Sequence, residues 1–447
     1  MKISAQGESS RIPKLSHERE IINMRTIIIG LDGVPFGLFK DLAERGIMPN
    51  TREILLVSDA FLGKMQSSLP EVSSVAWSSI ITGKNPAEHG IFGFTDLLPH
   101  SYELRFPCFN DLQSPPFWNL IKGKSVIVNV PSTYPVKEMN GVHISGFVSI
   151  DFNQSVFPKS LIPILKKFDY RLDVDSTLAH QSMDLFLEDL NKTLPGSIQT
   201  YRYLWENIDW EIFMFVFTGT DRLLHFLWNA YEKESHKFHG QFLEYFREID
   251  KIIGEIVLKI QEEDRLIMLS DHGFERLDYD IYINAFLKKE GYLHFGNKKE
   301  HELIHIDSST KAFALDPARI YIHTKEKYPN GRVDRRDREK IIQDIKKLFA
   351  ALEIDKRRVI KDIYTQEDIY YGPFIDRAPD IILVGDKGFN LKGSIKQEKL
   401  MNKDIFTGKH TQDDAFLFIK GKTQKDVIPN SFTVFDVKDL VMGQKGG

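Results

Sequence analysis

Cysteine is nearly absent from this sequence, and none of its apolar runs is long enough to span a membrane. Cys108 is the only cysteine among 447 residues, which excludes an internal disulfide and a cluster of thiolate metal ligands. The first 23 residues are polar and charged, without the apolar core of a signal peptide. A single cysteine suits a reducing compartment, so we predict a cytoplasmic protein with no membrane span.

The sequence also lacks an excess of charge of either sign. Its 59 Lys and Arg residues nearly balance 63 Asp and Glu residues, which gives a net charge of -4. This balance provides no electrostatic footprint for nucleic acid and no polybasic membrane patch. We therefore predict no nucleic acid as a bulk partner. A chain of 447 residues has room for one large domain with an insertion, or for two to three smaller domains.

The sequence does contain apolar runs that each stop at an acidic residue. The run 266–269 leads to Asp271 and His272, and the run 26–29 leads to Asp32. Such runs are typical of buried parallel strands, and open α/β sheets bind their ligands at the carboxyl ends of those strands. On these residues alone, metal binding, solvent exposure and capping of the next helix all remain open.

A third apolar run, 212–217, precedes Asp221 and His225. If a helix begins near Thr220, these two side chains lie on one face, one turn apart, and both can reach one metal ion. A capping Asp and a packed His would have the same spacing. His410 lies in a predicted turn just before a strand-like run, where it is either a last metal ligand or an ordinary surface histidine.

A short helix is predicted to begin at Ser73 or Ser74 and to end at Gly83. Serine at a helix start is usually an N-cap. It can also be a nucleophile, because the free N–H groups and the macrodipole stabilise an alkoxide and a bound phosphate. Three Asp and three His residues beside such a hydroxyl are the inventory of a two-metal phosphoryl-transfer site, with ions about 3.5–4 Å apart.

Strands and helices alternate along much of the chain, which predicts an α/β fold with a mostly parallel sheet sandwiched by helices. Beyond the runs above, strand-like segments at 124–130 and 142–148 and helical periodicity at 182–206 and 236–263 support this prediction.

The predicted core consists of residues 24–300 and 401–440 and contains the metal ligands. Residues 301–400 have many charges and short strand-like runs around one amphipathic helix, so we predict a smaller α+β insertion that forms a cap. Residues 1–23 are interpreted as a disordered leader or an ordinary helical arm, with Met24 as a possible true start.

In this order the motifs resemble those of the alkaline phosphatase superfamily, within it the type I phosphodiesterase/nucleotide pyrophosphatase group and the related predicted phosphohydrolases and phosphomutases. The resemblance covers nearly the whole chain from Met24 onward. It rests on Asp-Gly after the first strand, Ser-x-x-Ala-Trp-x-Ser-x-x-Thr-Gly-x-x-Pro-x-x-His-Gly-Ile, Thr-Asp-x-x-x-His, Ser-Asp-His-Gly and Gly-x-His. It implies an alkaline phosphatase-like fold.

By matching position, the resemblance implies six metal ligands and a nucleophile. It assigns Asp221, His225 and His410 to one metal, Asp32, Asp271 and His272 to the other, and the role of nucleophile, in contact with the metal, to Ser73. Two divalent ions, Zn²⁺ or Mn²⁺, suit these carboxylate and imidazole ligands. The implied mechanism is covalent, with a phosphoseryl intermediate that water then cleaves.

The chain departs from nucleotide pyrophosphatases at the group that clamps a second phosphate oxygen. Ala76 and Trp77 stand where those enzymes have Asn-His, and Phe94 stands where their phosphate-binding Asn follows. The candidates to replace this clamp are Lys84, Lys409 and Arg222, and the sequence does not choose among them. His89 is interpreted as structural, since its turn position suits packing of the helix end.

These observations predict a metal-dependent phosphoric ester hydrolase. Its substrate would be a phosphodiester or phosphomonoester of a small organic phosphate, cleaved through phosphoserine at Ser73. One alternative is a phosphomutase, in which the cap retains the dephosphorylated product and Ser73 returns the phosphate. Another is a catalytically silent binding protein, which the complete ligand set disfavours. The sequence does not predict the oligomeric state.

Overall fold

The computed structural model describes residues 25–296, 302–421 and 431–443. The predicted leader and Met24 lie outside the described residues. The strands are, in chain order, β1 (Thr26–Leu31), β2 (Ala60–Gln66), β3 (Asp96–Leu97), β4 (Leu104–Arg105), β5 (Ser125–Val130), β6 (Gly141–Ser145), β7 (Val156–Phe157), β8 (Ile212–Phe217), β9 (Arg265–Leu269), β10 (Gly273–Arg276), β11 (Tyr279–Tyr282), β12 (Ala312–Leu315), β13 (Arg319–Ile322), β14 (Glu353–Ile354), β15 (Arg357–Arg358), β16 (Ile360–Thr365), β17 (Ile381–Gly385), β18 (Phe389–Lys392), β19 (Met401–Asn402), β20 (Gly408–Thr411), β21 (Ala415–Lys420) and β22 (Phe432–Thr433).

The α-helices are α1 (Phe36–Glu44), α2 (Pro49–Leu55), α3 (Ser73–Thr82), α4 (Pro86–His89), α5 (Ile162–Lys167), α6 (Met183–Asn207), α7 (Gly219–Glu232), α8 (His239–Lys259), α9 (Ile283–Lys289), α10 (Arg338–Ala350), α11 (Gln366–Ile369) and α12 (Val437–Met442). Within the described ranges, no helix combines the length and the apolar composition needed to cross a membrane.

A nine-stranded sheet forms the centre of the described structure, in the order β22-β2-β21-β9-β1-β8-β5-β6-β7. Strand β1 pairs in parallel with β8 and β9, and β5 pairs in parallel with β8 and β6. Strand β21 runs antiparallel to both β9 and β2. The sheet is therefore mostly parallel, which confirms the predicted α/β fold.

Helices cover both faces of this sheet, because its central strands are apolar at nearly every position. Ile27 and Ile29 of β1 pack into a cluster with residues of α1, α6, α7 and α8, whereas Ile28 packs on the opposite face with residues of α3 and α12. All residues of β1 and β8 are buried. The continuous apolar runs in the sequence thus reflect burial on both faces.

The carboxyl ends of the three central strands lie side by side. Leu31 of β1 is in register with Phe217 of β8, and Gly30 of β1 is in register with Leu269 of β9. The polar segments that follow each strand therefore meet at one edge of the sheet, as the strand-end pattern predicted.

A smaller α+β unit, which we call the cap, packs around an apolar core of its own. It contains a four-stranded sheet in the order β12-β13-β17-β16, packed with α10, and a three-stranded sheet of β18, β11 and β19. Its apolar cluster includes residues of α9, which precedes the predicted boundary at residue 301. The division at 301–400 stays a prediction, because a packing cluster does not show which residues fold as a unit.

Candidate metal centre

The first group of candidate ligands comes from α7 and β20. Asp221 and His225 lie one turn apart on α7, as predicted, and His410 lies on β20. His410 Nε2 is 3.1 Å from Asp221 Oδ1 and 2.9 Å from His225 Nε2, and His225 Nε2 is 3.4 Å from Asp221 Oδ1. Three possible ligand atoms therefore converge on one point.

The two histidines of this group direct their lone pairs toward each other. His225 Nδ1 lies 3.3 Å from the carbonyl oxygen of Gly408, and His410 Nδ1 lies 2.9 Å from that of Glu71. Because a carbonyl oxygen only accepts, Nδ1 carries the hydrogen, and in the neutral ring Nε2 then carries the lone pair. Two lone pairs at this separation repel unless they share a cation or a proton. The outer hydrogen bonds thus select the tautomer that metal coordination needs.

The secondary structure predicted at His410 is wrong. The sequence predicted a turn, whereas Gly408–Thr411 form β20, which pairs antiparallel with β10 so that His410 lies opposite Phe274. Strand β20 has only four residues. Its partner β10 precedes the cap in the sequence, whereas β20 follows the cap. Such pairing depends on tertiary context, so local patterning carries no signal for it.

Asp32, Asp271, His272 and Ser73 form the second group, and all four side chains are buried. Ser73 Oγ lies 3.3 Å from Asp32 Oδ1 and 3.2 Å from His272 Nε2. His272 Nε2 lies 3.3 Å from Asp271 Oδ2 and 3.8 Å from Asp32 Oδ1. Asp271 Oδ2 is buried without a hydrogen-bond partner among the described residues. A bound cation would compensate the cost of burying that oxygen without a hydrogen bond, so the group fits a metal site.

Hydrogen bonds hold each ligand of the second group from its far side. The Gly33 N–H donates to Asp271 Oδ1 at 3.1 Å, and the Trp77 indole N–H donates to Asp32 Oδ2 at 3.1 Å. His272 Nδ1 lies 3.1 Å from the carbonyl oxygen of the next residue, which leaves Nε2 free. Sequence reasoning missed the supporting role of Trp77, because nothing in the local sequence indicates that an indole on α3 donates to the carboxylate that follows β1.

Burial and neighbouring charge shift the pKa values of the three acids. Burial, together with the carboxylates of Asp271 and Asp221, raises the pKa of Asp32 well above its usual range. Burial raises the pKa of Asp271 to about 7. At Asp221 burial is outweighed by His225 and His410, which hold the pKa of this carboxyl below its usual range. Ionisation of Asp32 and Asp271 at neutral pH is therefore unfavourable unless a cation lies nearby.

Burial keeps two of the three histidines neutral, whereas at His410 burial is outweighed by the hydrogen bond and charge of Asp221, which raise the pKa of this ring. The histidines also connect the two groups. Burial lowers the pKa of His225 to about 3 and the pKa of His272 well below its usual range. The rings of His272 and His410 stack with centroids 3.7 Å apart. The ring of Phe274 packs against His225, His410 and His272, at centroid distances of 4.8, 5.1 and 6.0 Å. The two groups are thus neighbours that share one aromatic support.

Ser73 is the first residue of α3, and its hydroxyl lies at the positive end of that helix. The N-cap is Val72, which contributes no side-chain hydrogen bond, and Ser73 Oγ instead contacts Asp32 and His272. The interpretation of Ser73 as a plain N-cap is therefore wrong. The helix ends before Gly83, whose φ of +63° belongs to the left-handed region that favours glycine.

His89 is buried at the end of α4. Its Nδ1 accepts from the N–H of Ile91 at 3.2 Å, and its Nε2 lies 3.1 Å from Ser79 Oγ. Both ring nitrogens of His89 thus make hydrogen bonds that connect α3 with the end of α4.

Residues 26–413 match the protein family described as type I phosphodiesterase / nucleotide pyrophosphatase. The chain belongs to this family. It is a phosphoric ester hydrolase of the phosphodiesterase/pyrophosphatase type, and the resemblance inferred from the motifs is confirmed. The family consists of metalloenzymes that use divalent metal ions. In this family member, the candidate ligand atoms lie within 4.8 Å of one another in each of two groups, Asp221, His225 and His410, and Asp32, Asp271 and His272.

Solved structures share the fold of this family member. Phosphonoacetate hydrolase from Sinorhizobium meliloti 1021, solved with phosphonoacetate, is 15% identical with a TM-score of 0.64, and the match covers 95% of this chain and 96% of that one. Human ectonucleotide pyrophosphatase / phosphodiesterase 5 is 13% identical with a TM-score of 0.54, and 94% of each chain is covered. The murine protein is 12% identical with the same TM-score of 0.54 and 94% of each chain covered. No curated protein matches the sequence.

A cleft of about 340 Å³ opens beside the first ligand group of this phosphodiesterase-family chain. His225 and His410 line it on the core side, together with Phe94. Lys409, one of the three cations predicted as replacements for the phosphate clamp, also lines the cleft and is 5% exposed. Its ammonium lies 3.0 Å from Glu275 Oε1, the residue opposite it in the β10–β20 pair.

The other two predicted cations are engaged elsewhere. The Lys84 ammonium lies 2.9 Å from Glu88, one turn further along the chain. The Arg222 guanidinium donates to Asp173 at 2.8 Å and to Asp221 Oδ2 at 3.3 Å. Arg222 therefore contacts a candidate metal ligand, and Lys84 pairs with Glu88 of α4.

Lys392 is a cleft residue that sequence reasoning missed. It lies on β18 of the cap, and its ammonium is 3.9 Å from Asp280 Oδ1, which also accepts from Asn390 Nδ2 at 2.6 Å. Lys392 lines the cleft with His225, whose pKa is lowered first by burial and in part by this ammonium. No local motif predicts that the cap strand reaches the core here. The one available signal is the alternation Phe-Asn-Leu-Lys, which places Asn390 and Lys392 on one face.

Proposed function

We propose that this chain is a two-metal phosphohydrolase that cleaves a phosphodiester or phosphomonoester of a small organic phosphate through a phosphoseryl intermediate on Ser73. The observation that carries the proposal is the position of Ser73 Oγ, 3.3 Å from Asp32 Oδ1 and 3.2 Å from His272 Nε2. A hydroxyl there lies against two candidate metal ligands, and the helix N-terminus provides a positive field for the alkoxide.

Two sets of residues would hold the ions. One set is Asp221, His225 and His410, and the other is Asp32, Asp271, His272 and Ser73. Carboxylates and neutral imidazoles suit Zn²⁺ or Mn²⁺. When bound, such ions supply Lewis-acid stabilisation to the nucleophile and to the oxygens around phosphorus.

The residues of the chain account for the remaining steps. Ser73 Oγ attacks phosphorus in line with the leaving oxygen, and its proton passes to a water molecule, since Asp32 and His272 would hold the ion. The bond from phosphorus to the ester oxygen breaks, and the alcohol leaves with a proton taken from water. A water molecule then attacks the phosphoserine, which releases the phosphate product and returns the Ser73 hydroxyl. Lys392 and Lys409 line the cleft, each near one carboxylate, and we propose that they contribute to binding of the anionic substrate in place of the absent amide clamp.

The structural neighbours suggest which compounds belong in a first substrate panel. Phosphonoacetate is bound in the bacterial phosphonoacetate hydrolase structure, and AMP is bound in a structure of an inactive variant of the murine phosphodiesterase. We propose nucleotide esters and phosphonates as panel members on the basis of the shared fold. Simple aryl phosphates define the reaction class first.

The test compares bis(4-nitrophenyl) phosphate with 4-nitrophenyl phosphate on protein loaded with Zn²⁺ or Mn²⁺. We expect Ser73→Ala to lower kcat by about 10³-fold or more, because the nucleophile is lost. The matched control is Ser78→Ala on the same helix, whose hydroxyl donates to the carbonyl oxygen of Ser74 at 2.7 Å. This variant should keep its activity, and equal activity in Ser73→Ala and the parent would contradict the proposal.

Turnover in ¹⁸O-labelled water separates the hydrolase from the phosphomutase alternative. A hydrolase places the label in the released phosphate product, whereas a mutase yields an isomeric phosphate ester without label. Neither product above the Ser73→Ala background would contradict both and would favour the silent binding protein.

A further inference from the structure

A second and larger cavity of about 890 Å³ lies between the β3–β4 hairpin and the cap, and we call it the chamber. Thr95 and Asp316 line both the chamber and the cleft beside the candidate metal centre, so the two cavities are neighbours at these residues. Pockets that enclose a small organic ligand typically measure about 300–1,000 Å³. The chamber therefore has room for a ligand group much larger than the cleft alone can hold.

A buried arginine fixes the junction between the two neighbouring cavities. Arg319 is fully buried, and its guanidinium donates to the carbonyl oxygen of Thr95 at 2.8 Å and to that of Asp316 at 2.5 Å. A Cβ atom on Gly93 would lie 2.7 Å from its Cζ, so the backbone before Thr95 rests directly on the guanidinium. Arg319 thus ties the core side of the junction to the cap side.

Apolar side chains from two separate parts of the chain line the chamber. Leu104 of β4 is 45% exposed and Ile304 of the cap is 65% exposed. Leu303, Leu315 and Ile395 line the same space. Single exposed apolar residues are ordinary, but apolar residues that together line one cavity indicate a binding surface.

The charged residues that line the chamber in the described part of the chain form no anion site. Apart from Asp316 at the junction they are exposed and of mixed sign: His100, Glu103, Glu302 and Lys396. The cleft differs, because Lys392, Lys409, Glu71 and Asp316 line it beside the candidate metal ligands. The lining from the metal centre outward therefore changes from charged to apolar.

We propose that the chamber binds an apolar tail of the substrate's alcohol group, so that the substrates are amphiphilic phosphate esters with an alkyl or aryl chain. This inference rests on the proposed function, because it places the phosphate at the metal centre. A phosphate beside His225 and His410 puts its ester substituent into the cleft, and a longer chain passes Thr95 into the chamber. Each methylene that leaves water there raises the affinity by up to about fourfold.

The test measures the binding of methylphosphonate and decylphosphonate to the Mn²⁺-loaded full chain by titration calorimetry, below the micellar range of decylphosphonate. We expect decylphosphonate to bind about 100-fold or more tightly than methylphosphonate, as burial of several methylenes predicts. Leu104→Ser and Ile304→Ser should each reduce this preference about threefold to tenfold. Phe106→Ser is the matched control, because Phe106 is 74% exposed just after the same hairpin strand and does not line the chamber.

Two results would overturn the inference. One is equal affinity of the parent protein for both phosphonates. The other is a preference for decylphosphonate that survives in both chamber variants, since the chain would then bind elsewhere, such as on a surface that contacts another protein. The proposed function fails by a different result, namely turnover of aryl phosphates no faster than in Ser73→Ala.

Discussion

Replacing Asp271 by Asn should stabilise the metal-free protein while weakening its stabilisation by metal. Burial raises the pKa of Asp271 to about 7, so the metal-free fold keeps this carboxyl protonated up to that pH, whereas the unfolded chain ionises it near pH 4. The contribution to stability is complete below about pH 4 and is lost as the pH rises to about 7. The difference corresponds to about 4 kcal/mol at pH 8, which Asn avoids because it carries no charge.

The assay is thermal unfolding of chelator-treated protein at pH 8 and at pH 5. For a chain of this length about 4 kcal/mol corresponds to a gain in Tm of about 4 °C at pH 8, and the gain should shrink at pH 5. Mn²⁺ at 1,000 times its Kd should stabilise the parent by about 4 kcal/mol, and the Asp271→Asn protein by much less.

The matched control is Asp250→Asn, because Asp250 is also buried but its carboxylate is fully engaged. It accepts from the N–H of Asn50 at 2.9 Å, from the N–H of Thr51 at 2.8 Å and from Thr51 Oγ1 at 2.7 Å. This variant should lose about 1–3 kcal/mol at both pH values. If Asp271→Asn is destabilised in the same way at pH 8 without metal, the reasoning about the strained carboxylate is refuted.

Three further substitutions test other parts of the site. Trp77→Phe removes the N–H that Asp32 Oδ2 accepts at 3.1 Å, so metal affinity, measured by competition with a chelator, should fall about 10–100-fold. Lys409→Gln removes a cation that lines the cleft and should raise KM about tenfold, whereas Lys84→Gln should leave steady-state kinetics unchanged. Gly30→Ala should cost about 1–3 kcal/mol in urea unfolding, because its Cβ would lie 2.6 Å from the Trp77 ring.

The candidate ligands could be predicted wherever local patterning decides position. Asp32 and Asp271 follow apolar runs that form adjacent parallel strands, and the register of those strands brings both acids to one edge. Asp221 follows the same logic on the other neighbouring strand. Trp77 and Lys392 could not be predicted, because each reaches the site through tertiary packing that leaves no periodic signal. The cytoplasmic location and the domain boundaries stay predictions.

The pairing of β10 with β20 explains how His410, which follows the cap in the sequence, reaches candidate ligands that precede the cap. Strand β10 leads toward the cap and β20 returns from it, and their register sets His410 opposite Phe274. A Cβ atom on Gly408 would lie 2.4 Å from the carbonyl oxygen of Leu224, so only glycine lets this ribbon rest against α7 and bring its own carbonyl to His225 Nδ1. Because the ribbon and the carbonyl oxygen of Glu71 position His410, changes within the cap can alter the cleft and the chamber without moving the metal ligands.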